Sequence, residues 1–203
     1  ITPLVFMIVL GTVLLNATTA RLFAKLVGVF LKKSEGILII GASKLSRLIG
    51  NYLRKNNRHV VLIDNNQNNV EKAKKLGLEA ITANIFSDTL TDNIELNDMG
   101  YLMALTGNSD INKFAIDKFQ KQFGENGAFR LVNTEEVNDP ENNPKEGLFS
   151  HTDDFIQLMD TVRKHPTIHE IDLEDKEHYD KLIDITYQER DIVPLFTKAP
   201  NGS

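Results

Sequence analysis

The sequence of 203 residues contains no cysteine and no tryptophan, and it has only six prolines and twelve glycines. The absence of cysteine excludes disulfides, thiolate metal sites and cysteine nucleophiles. The low content of glycine and proline excludes a collagen-like or low-complexity chain. What the sequence does contain, 41% hydrophobic and 25% charged residues, is typical of a globular protein with a core of ordinary size.

Basic residues are also in short supply, since 28 acidic residues outnumber 23 basic ones and give a formal net charge of -5. Nucleic-acid binding depends on cationic side chains that neutralise phosphates, so we expect no nucleic-acid partner. The sequence has no GxSxG, HExxH or GxxxxGK[ST] pattern, and such patterns mark hydrolases, zinc proteases and P-loop proteins. We therefore expect no catalytic residues, no metal site and no enzyme activity.

The chain begins with a long apolar run. No charged residue precedes Arg21, and the first fifteen positions are almost entirely apolar. About 20 apolar residues span the hydrocarbon core of a bilayer, and the lysines between positions 25 and 33 fit a cytoplasmic exit. We expect residues 1–20 to form a transmembrane helix truncated at its N-terminus, within a segment 1–33 that includes a cytoplasmic linker. The alternative is a buried helix of a soluble protein.

Short aliphatic segments alternate with segments of helical periodicity between residues 34 and 138. Residues 36–41 (GILIIG) and 59–64 (HVVLID) are typical of strands buried on both faces. Further strands are predicted over 79–83, 101–105 and 128–132, and helices over 43–55, 65–76, 88–96 and 109–123. This alternation predicts an α/β domain with a Rossmann-like, doubly wound parallel sheet.

The turn after the first strand is the main candidate for ligand binding. It reads GASKLS from Gly41, where the dinucleotide fingerprint has GxGxxG. Gly41 matches, whereas Ser43 and Ser46 replace the second and third glycines. Asp64 ends the second strand 23 residues later, where an acid holds the ribose hydroxyls of a bound nucleotide. The turn predicts a nucleotide site, and the alternative is a Rossmann-like domain that binds no nucleotide.

Three stretches within residues 36–135 occur in a distinctive order: GILIIGASKLSRLIGNYLRKNNRHVVLIDNN, EAITANIFSD and MGYLMALTGNSDIN. They resemble the TrkA-N domain, also called the RCK or KTN domain, a cytoplasmic regulator of potassium channels and cation transporters. The piece ALTGNSDIN is similar to the end of the family's fourth strand, where a Thr-Gly pair precedes a polar loop and an Asn opens the next helix. ANI at 83–85 corresponds to a Gly-Asp-Ala of the family, with Asn84 in place of the acid.

The resemblance implies a ligand, NAD(H) or an adenine nucleotide, at the carboxyl ends of the strands. It also implies a homodimer. Carried over position by position, the implied ligand-binding residues are Gly41, Ala42, Ser43, Leu45, Ser46, Asp64, Asn65, Asn84, Ile85, Thr106 and Gly107.

Residues 9–29 (VLGTVLLNATTARLFAKLVGV) are similar to the last transmembrane helix of monovalent cation:proton antiporters, some of which carry a TrkA-N domain directly after it. Together the two resemblances imply the C-terminal part of a Na+/H+ or K+/H+ antiporter in the cell inner membrane. The α/β domain would lie on the cytoplasmic side, attached to the membrane part of the transporter, with residues 1–20 in the bilayer.

The function implied by these resemblances is nucleotide-dependent control of transport. One alternative is a nucleotide-free dimerisation scaffold of the same transporter. A soluble NAD(P)-dependent oxidoreductase is a further alternative, although no acid–base pair stands out in the sequence.

The remaining residues, 139–203, predict a linker and an incomplete α+β module. Residues 139–147 (DPENNPKEG) are polar and contain two prolines, as linkers do. We expect a helix over 151–164, strands over 167–173 and 192–196, and a turn at 200–202.

Overall fold

The computed structural model describes residues 2–26, 34–87, 90, 96–137, 147–149, 154–189 and 192–197. The chain forms two compact units, Ile1–Lys33 and Ser34–Ser203. The predicted helix over 88–96, apart from Leu90 and Leu96, lies outside the described residues. So do most of the linker and the turn at 200–202.

The described part of the first unit is one helix, α1 (Thr2–Leu26). Its segment from Pro3 to Ala20 has a mean hydropathy of 1.8, and none of it is buried. Eighteen helical residues are about 27 Å long, close to the hydrocarbon thickness of a bilayer. Thr18 and Thr19 donate their hydroxyls to the carbonyls of Leu14 and Leu15, at 2.8 and 2.6 Å. By length and composition, α1 is suited to cross a membrane.

The second unit is built on a five-stranded parallel sheet of order β3-β2-β1-β4-β5. Neighbouring strands pair in parallel throughout, and the strand order reverses between β1 and β4. This is the doubly wound, Rossmann-like arrangement that the sequence predicts. The strands are β1 (Gly36–Ile40), β2 (Val60–Asp64), β3 (Glu79–Thr82), β4 (Met99–Ala104) and β5 (Gly127–Arg130).

Helices flank the sheet on both faces, and capping side chains fix where they begin. A side-chain oxygen of each N-cap accepts a backbone N–H from the first turn of its helix, at Ser43, Asn66, Asn108, Asp154 and Asp175. The helices of this unit are α2 (Lys44–Lys55), α3 (Gln67–Lys75), α4 (Ser109–Phe123), α5 (Thr134–Val137), α6 (Phe155–Lys164) and α7 (Lys176–Gln188).

Successive strand residues face two separate apolar cores. Ile37 and Ile39 of β1 point to the core under α2 and α3. Leu38 and Ile40 point to the opposite core, under α4. All four side chains are at most 7% exposed. Each contributes about 1.5–3 kcal/mol by leaving water, and this explains why the strands read as continuous aliphatic runs.

The described part of the tail contains two helices, α6 and α7, and no strand, so the strands predicted over 167–173 and 192–196 are wrong. Both segments lie beside α2: the Tyr52 hydroxyl donates to Glu170 Oε1 at 2.9 Å, and the Tyr52 ring stacks on Phe196 with centroids 6.4 Å apart. A helix offers no unpaired backbone edge, so extended chain beside it gains no strand partner. Beyond β5, pairing within the described chain is limited to one bridge, Arg130–Gly147.

Helix α6 belongs to the same core as the sheet, although it lies beyond the predicted boundary after residue 138. Leu158 and Val162 are 2% and 6% exposed. They pack in the cluster that contains Leu45 of α2 and, after β4 and β5, Leu105 and Leu131. The tail therefore completes one face of the α/β sheet.

A histidine joins three strands at the amino edge of the sheet. His59 precedes β2, and its Nδ1 and Nε2 lie 2.7 Å from Asp98 Oδ2 and 3.0 Å from Glu79 Oε2. Burial lowers the pKa of His59, but the hydrogen bonds and charges of Glu79 and Asp98 outweigh it and raise this pKa above 6.5. The Asp98 carbonyl also accepts the Gly36 N–H at 2.9 Å. The protonated imidazole thus links the starts of β2, β3 and β4, and through Asp98 that of β1.

We expect the free energy of unfolding to decrease as the pH rises above the unfolded pKa of His59, about 6.5. A histidine whose pKa is raised in the folded state stabilises the fold. This stabilisation is complete below the unfolded pKa of about 6.5 and is lost as the pH rises past the folded pKa. Thermal unfolding of the full chain at several pH values measures this slope. His59→Gln should remove it, whereas His165→Gln, at an exposed position, should retain it. An unchanged slope in His59→Gln would contradict the role of His59.

Candidate functional site

The predicted site lies where the strand order reverses, between the carboxyl ends of β1 and β4. Gly41 follows β1 with a φ of +98°, in the left-handed region that favours glycine. A Cβ at this position would lie 3.1 Å from Thr106 Cγ2 and 3.2 Å from the Leu105 carbonyl oxygen. The turn therefore requires glycine for its backbone angle and for its close approach to the loop after β4.

Asp64, the last residue of β2, fixes the turn that follows Gly41. Its Oδ2 accepts the Ala42 N–H at 2.8 Å, and its Oδ1 accepts the Asn66 N–H at 2.8 Å. The Asn69 side-chain amide donates to Oδ2 at 3.2 Å. A carboxylate has about four acceptor positions, so these bonds leave Oδ1 able to accept one further hydroxyl. Asp64 thus orients the turn and keeps capacity for a ribose.

Ser43 and Ser46 stand where the dinucleotide fingerprint has glycines. The Ser43 Oγ accepts the Ser46 N–H at 3.2 Å and lies 3.0 Å from the Ser46 Oγ. Ser46 is fully buried, and its short side chain still allows α2 to pack closely on the sheet. The capping bond uses one N–H of the helix N-terminus. The other N–H groups of the first turn still point out of the helix end, where anions bind.

Arg47, in the first turn of α2, is a site residue that the motif comparison missed. Its Nη1 donates to the Ala42 carbonyl. Burial lowers the pKa of Arg47, and the charge of Asp64 opposes this effect. Arg47 adds a positive charge beside the positive end of the α2 dipole. The fingerprint assigns no role to this position, so only the contact itself identifies Arg47.

One buried amide holds the loop after β4. The Asn112 Oδ1 accepts the Thr106 N–H at 3.0 Å and the Thr106 hydroxyl at 2.7 Å. The Asn112 Nδ2 donates to the carbonyls of Thr106 at 3.0 Å and Leu131 at 3.3 Å. Asn112 therefore ties this loop to the end of β5. Because its hydroxyl is engaged, Thr106 presents its methyl group to Gly41.

The other predicted residues are divided between the surface and the core. Asn65 and Asn84 are exposed after β2 and β3, and Gly107 is exposed after β4. Leu45 and Ile85 are 2% and 8% exposed and pack in the two cores. Their side chains hold α2 and the chain after β3 in place, so only their backbone atoms can face a ligand.

A second polar cluster at the end of β5 was also missed by sequence reasoning. The buried Arg130 guanidinium donates through Nη1 to Glu136 Oε2 at 3.1 Å and through Nη2 to Oε1 at 2.8 Å. The Ser109 hydroxyl and the Asn133 N–H also donate to Oε2, at 2.6 and 3.1 Å. The bonds from Arg130, followed by those from Ser109 and Asn133, lower the pKa of Glu136 to about 2 against the effect of burial. Because Ser109 begins α4, this cluster anchors the far end of the Thr106 loop.

The site combines a carboxylate with spare acceptor capacity, a helix N-terminus and a guanidinium. These groups suit the ribose and the phosphates of a nucleotide. A metal centre would need at least three suitably placed ligands, and no group of three His, Asp or Glu side chains that could hold a metal ion occurs in the part of the chain that the structure describes.

Comparison with known proteins agrees with this geometry. The family model described as the TrkA-N domain matches residues 37–142, just over half of the chain. This segment begins within β1 and includes the turn at Gly41, Asp64, the Thr106 loop and the Arg130–Glu136 pair. A search of curated proteins finds no significant match.

Proposed function

The chain belongs to the TrkA-N domain family, and from this premise we propose that its α/β domain binds a nucleotide and regulates a monovalent cation:proton antiporter. The proposed ligand is NAD(H) or an adenine nucleotide, held at the carboxyl ends of the strands. The domain controls transport through its ligand-dependent conformation and does not catalyse a reaction.

The bond between Asp64 and the turn after β1 carries this proposal. The Asp64 Oδ2 receives the Ala42 N–H at 2.8 Å, so the ribose-binding acid and the phosphate-binding turn are already aligned. A nucleotide that bridges the two replaces solvent at both groups without rebuilding the backbone. Such preorganisation reduces the entropic cost of binding.

In this proposal the ligand site and the membrane helix are close in sequence. β1 has five residues, with the nucleotide turn at its carboxyl end and, at its amino end, the chain that continues from α1 in sequence. A ligand that prefers one arrangement of the turn shifts the population of domain conformations. If the transporter also distinguishes these domain conformations, ligand binding and transport are linked by a coupling free energy.

The membrane setting is supported by α1. Its uncharged segment Pro3–Ala20 is long enough to cross a bilayer, and lysines follow it in the sequence. In our proposal α1 is the last helix of the transporter in the cell inner membrane, and the α/β domain is cytoplasmic. The domain pairs with a second copy of itself and contacts the membrane part of the same transporter.

One observation favours a second candidate, a nucleotide-free dimerisation scaffold. In the structure the Ser43 hydroxyl caps the N-terminus of α2 and Asp64 holds the Ala42 N–H, at 3.2 and 2.8 Å. The turn is therefore stable without a ligand, as a scaffold requires. The two candidates differ in whether the domain binds a nucleotide, so a measurement of nucleotide binding decides between them.

A calorimetric titration of the full chain in detergent tests the proposal, with ADP, AMP, ATP, NAD+ and NADH as probes. We expect a dissociation constant in the micromolar range for at least one, about -8 kcal/mol. Circular dichroism shows whether the sample is folded. Absence of binding by a folded sample to all five probes would reject the sensor in favour of the scaffold.

A further inference from the structure

In a doubly wound sheet, the helices that connect successive strands leave half of one face uncovered. In this chain α2 and α3 cover β1, β2 and β3 on one face, whereas the helix that follows β4 lies on the opposite face. The bare half is filled by α6 instead. Leu158 and Val162 of α6 are buried in the same core as Leu45 of α2 and as Leu105 and Leu131, which follow β4 and β5.

The first residue of α6 reaches the carboxyl edge of the sheet. The Phe155 ring carbons Cδ1 and Cε1 both lie 2.9 Å from the position that a Cβ on Gly107 would take. Asp154 caps α6 by accepting the Gln157 N–H at 2.9 Å, so the beginning of α6 is held in place. An aromatic ring and a carboxylate therefore flank the loop after β4.

The two halves of the carboxyl edge of the sheet therefore differ in the space that they offer to a nucleotide. A dinucleotide lies across both halves of a doubly wound sheet, with one mononucleotide on each. The half with β1, β2 and β3 is complete and carries Gly41 and Asp64. The other half has β4 and β5, extended in the described chain by a single bridge at Gly147, and the Phe155 ring lies beside Gly107 at its edge.

We propose that this site takes an adenine mononucleotide, and that Phe155 excludes the second nucleotide half of a dinucleotide. The inference rests on the proposed nucleotide-binding function and narrows it to one ligand class. Adenosine and its phosphates occupy the edge between Asp64 and the N-terminus of α2. Phe155 acts as a specificity residue, since the nicotinamide half of NAD+ would have to lie where its ring packs on Gly107.

Titration of the full chain in detergent with ADP and with NAD+ tests the inference, because ADP is the part that the two ligands share. We expect ADP to bind at least tenfold more tightly than NAD+. Phe155→Ala should tighten NAD+ binding at least tenfold and change ADP binding by less than twofold. Phe155→Leu keeps an apolar side chain in the core and serves as the second variant in case Phe155→Ala fails to fold.

Ile156→Ala is the matched control, because Ile156 is the next residue of α6 and is 76% exposed. It should change neither affinity. Equal binding of ADP and NAD+ by the parent chain would overturn the inference while the nucleotide-binding function stands. A Phe155 variant that changes both affinities alike would also overturn it. Failure of the folded parent and variants to bind ADP, AMP, ATP, NAD+ or NADH would reject the nucleotide-binding function itself, and the inference with it.

Discussion

Replacing Glu136 by Gln is expected to lower the free energy of unfolding by about 3 kcal/mol at pH 7. The Arg130 side chain is 4% exposed, and Glu136 meets it through two hydrogen bonds of 2.8 and 3.1 Å. Removing one partner of a buried ion pair leaves the other charge in a poorly solvating environment and costs about 3–5 kcal/mol. Glu136 is 26% exposed, so the lower end of this range applies. Domains are typically stable by about 5–15 kcal/mol, which makes this a large effect.

The same pair predicts how stability depends on acid. The pKa of Glu136 is lowered from 4.5 in the unfolded chain to about 2 in the folded protein. Its contribution is therefore complete above about pH 4.5 and is lost as the pH falls toward 2. Urea unfolding of the full chain in detergent between pH 2 and pH 7 measures this loss, which Glu136→Gln should largely remove.

Glu135→Gln provides the matched control for this prediction. Glu135 is the preceding residue of α5 and is exposed, and the substitution changes the charge by the same amount. Substitutions at such positions usually change stability by less than about 0.5 kcal/mol. Equal stability of the two variants at pH 7 would show that the Arg130–Glu136 pair contributes little.

Replacing Asp64 by Ala is expected to weaken nucleotide binding at least tenfold. A hydrogen bond between a charged group and a ligand hydroxyl contributes about 1.5–3 kcal/mol, and a tenfold change in affinity corresponds to 1.4 kcal/mol. The variant also loses the acceptor for the Ala42 N–H, which lies 2.8 Å from Oδ2. A buried N–H without an acceptor costs about 1–3 kcal/mol of stability. Titration with ADP and urea unfolding measure the two effects separately.

Asp64→Asn separates the charge of Asp64 from its role as an acceptor. The amide oxygen can still accept the Ala42 N–H, so stability should recover more than affinity does. Asp172→Ala removes an exposed acid in the tail and should leave both quantities unchanged. An unaltered ADP affinity in Asp64→Ala would remove Asp64 from the ligand site. Loss of stability alone would give it a purely structural role.

The sheet could be predicted because its signals are local. β1 and β2 are aliphatic runs that end at Gly41 and Asp64, and the predicted and observed boundaries differ by one residue. β4 begins at Met99, two residues before the predicted start, because Gly36 of β1 provides a pairing partner there. Gly41 and Asp64 could be predicted as neighbours in the site because the carboxyl ends of parallel strands meet at one edge of the sheet.

The missed residues share a different property. Arg47, Asn112 and the Arg130–Glu136 pair act through contacts whose geometry the fold alone determines. The tail strands over 167–173 and 192–196 were wrong for the same reason. Alternating polarity indicates a strand only where a sheet edge is available, and these segments lie beside α2, where Tyr52 contacts Glu170 and Phe196.

The place of α6 in the core also sets the order in which a nascent chain can finish folding. Residues 36–131 contain all five strands, yet the core that holds Leu105 and Leu131 also includes Leu158 and Val162, which are synthesised later. Ribosomes add about 5–20 residues per second. For a few seconds the emerging domain therefore exposes an apolar half-face to chaperones, and α6 is the segment that ends this exposure.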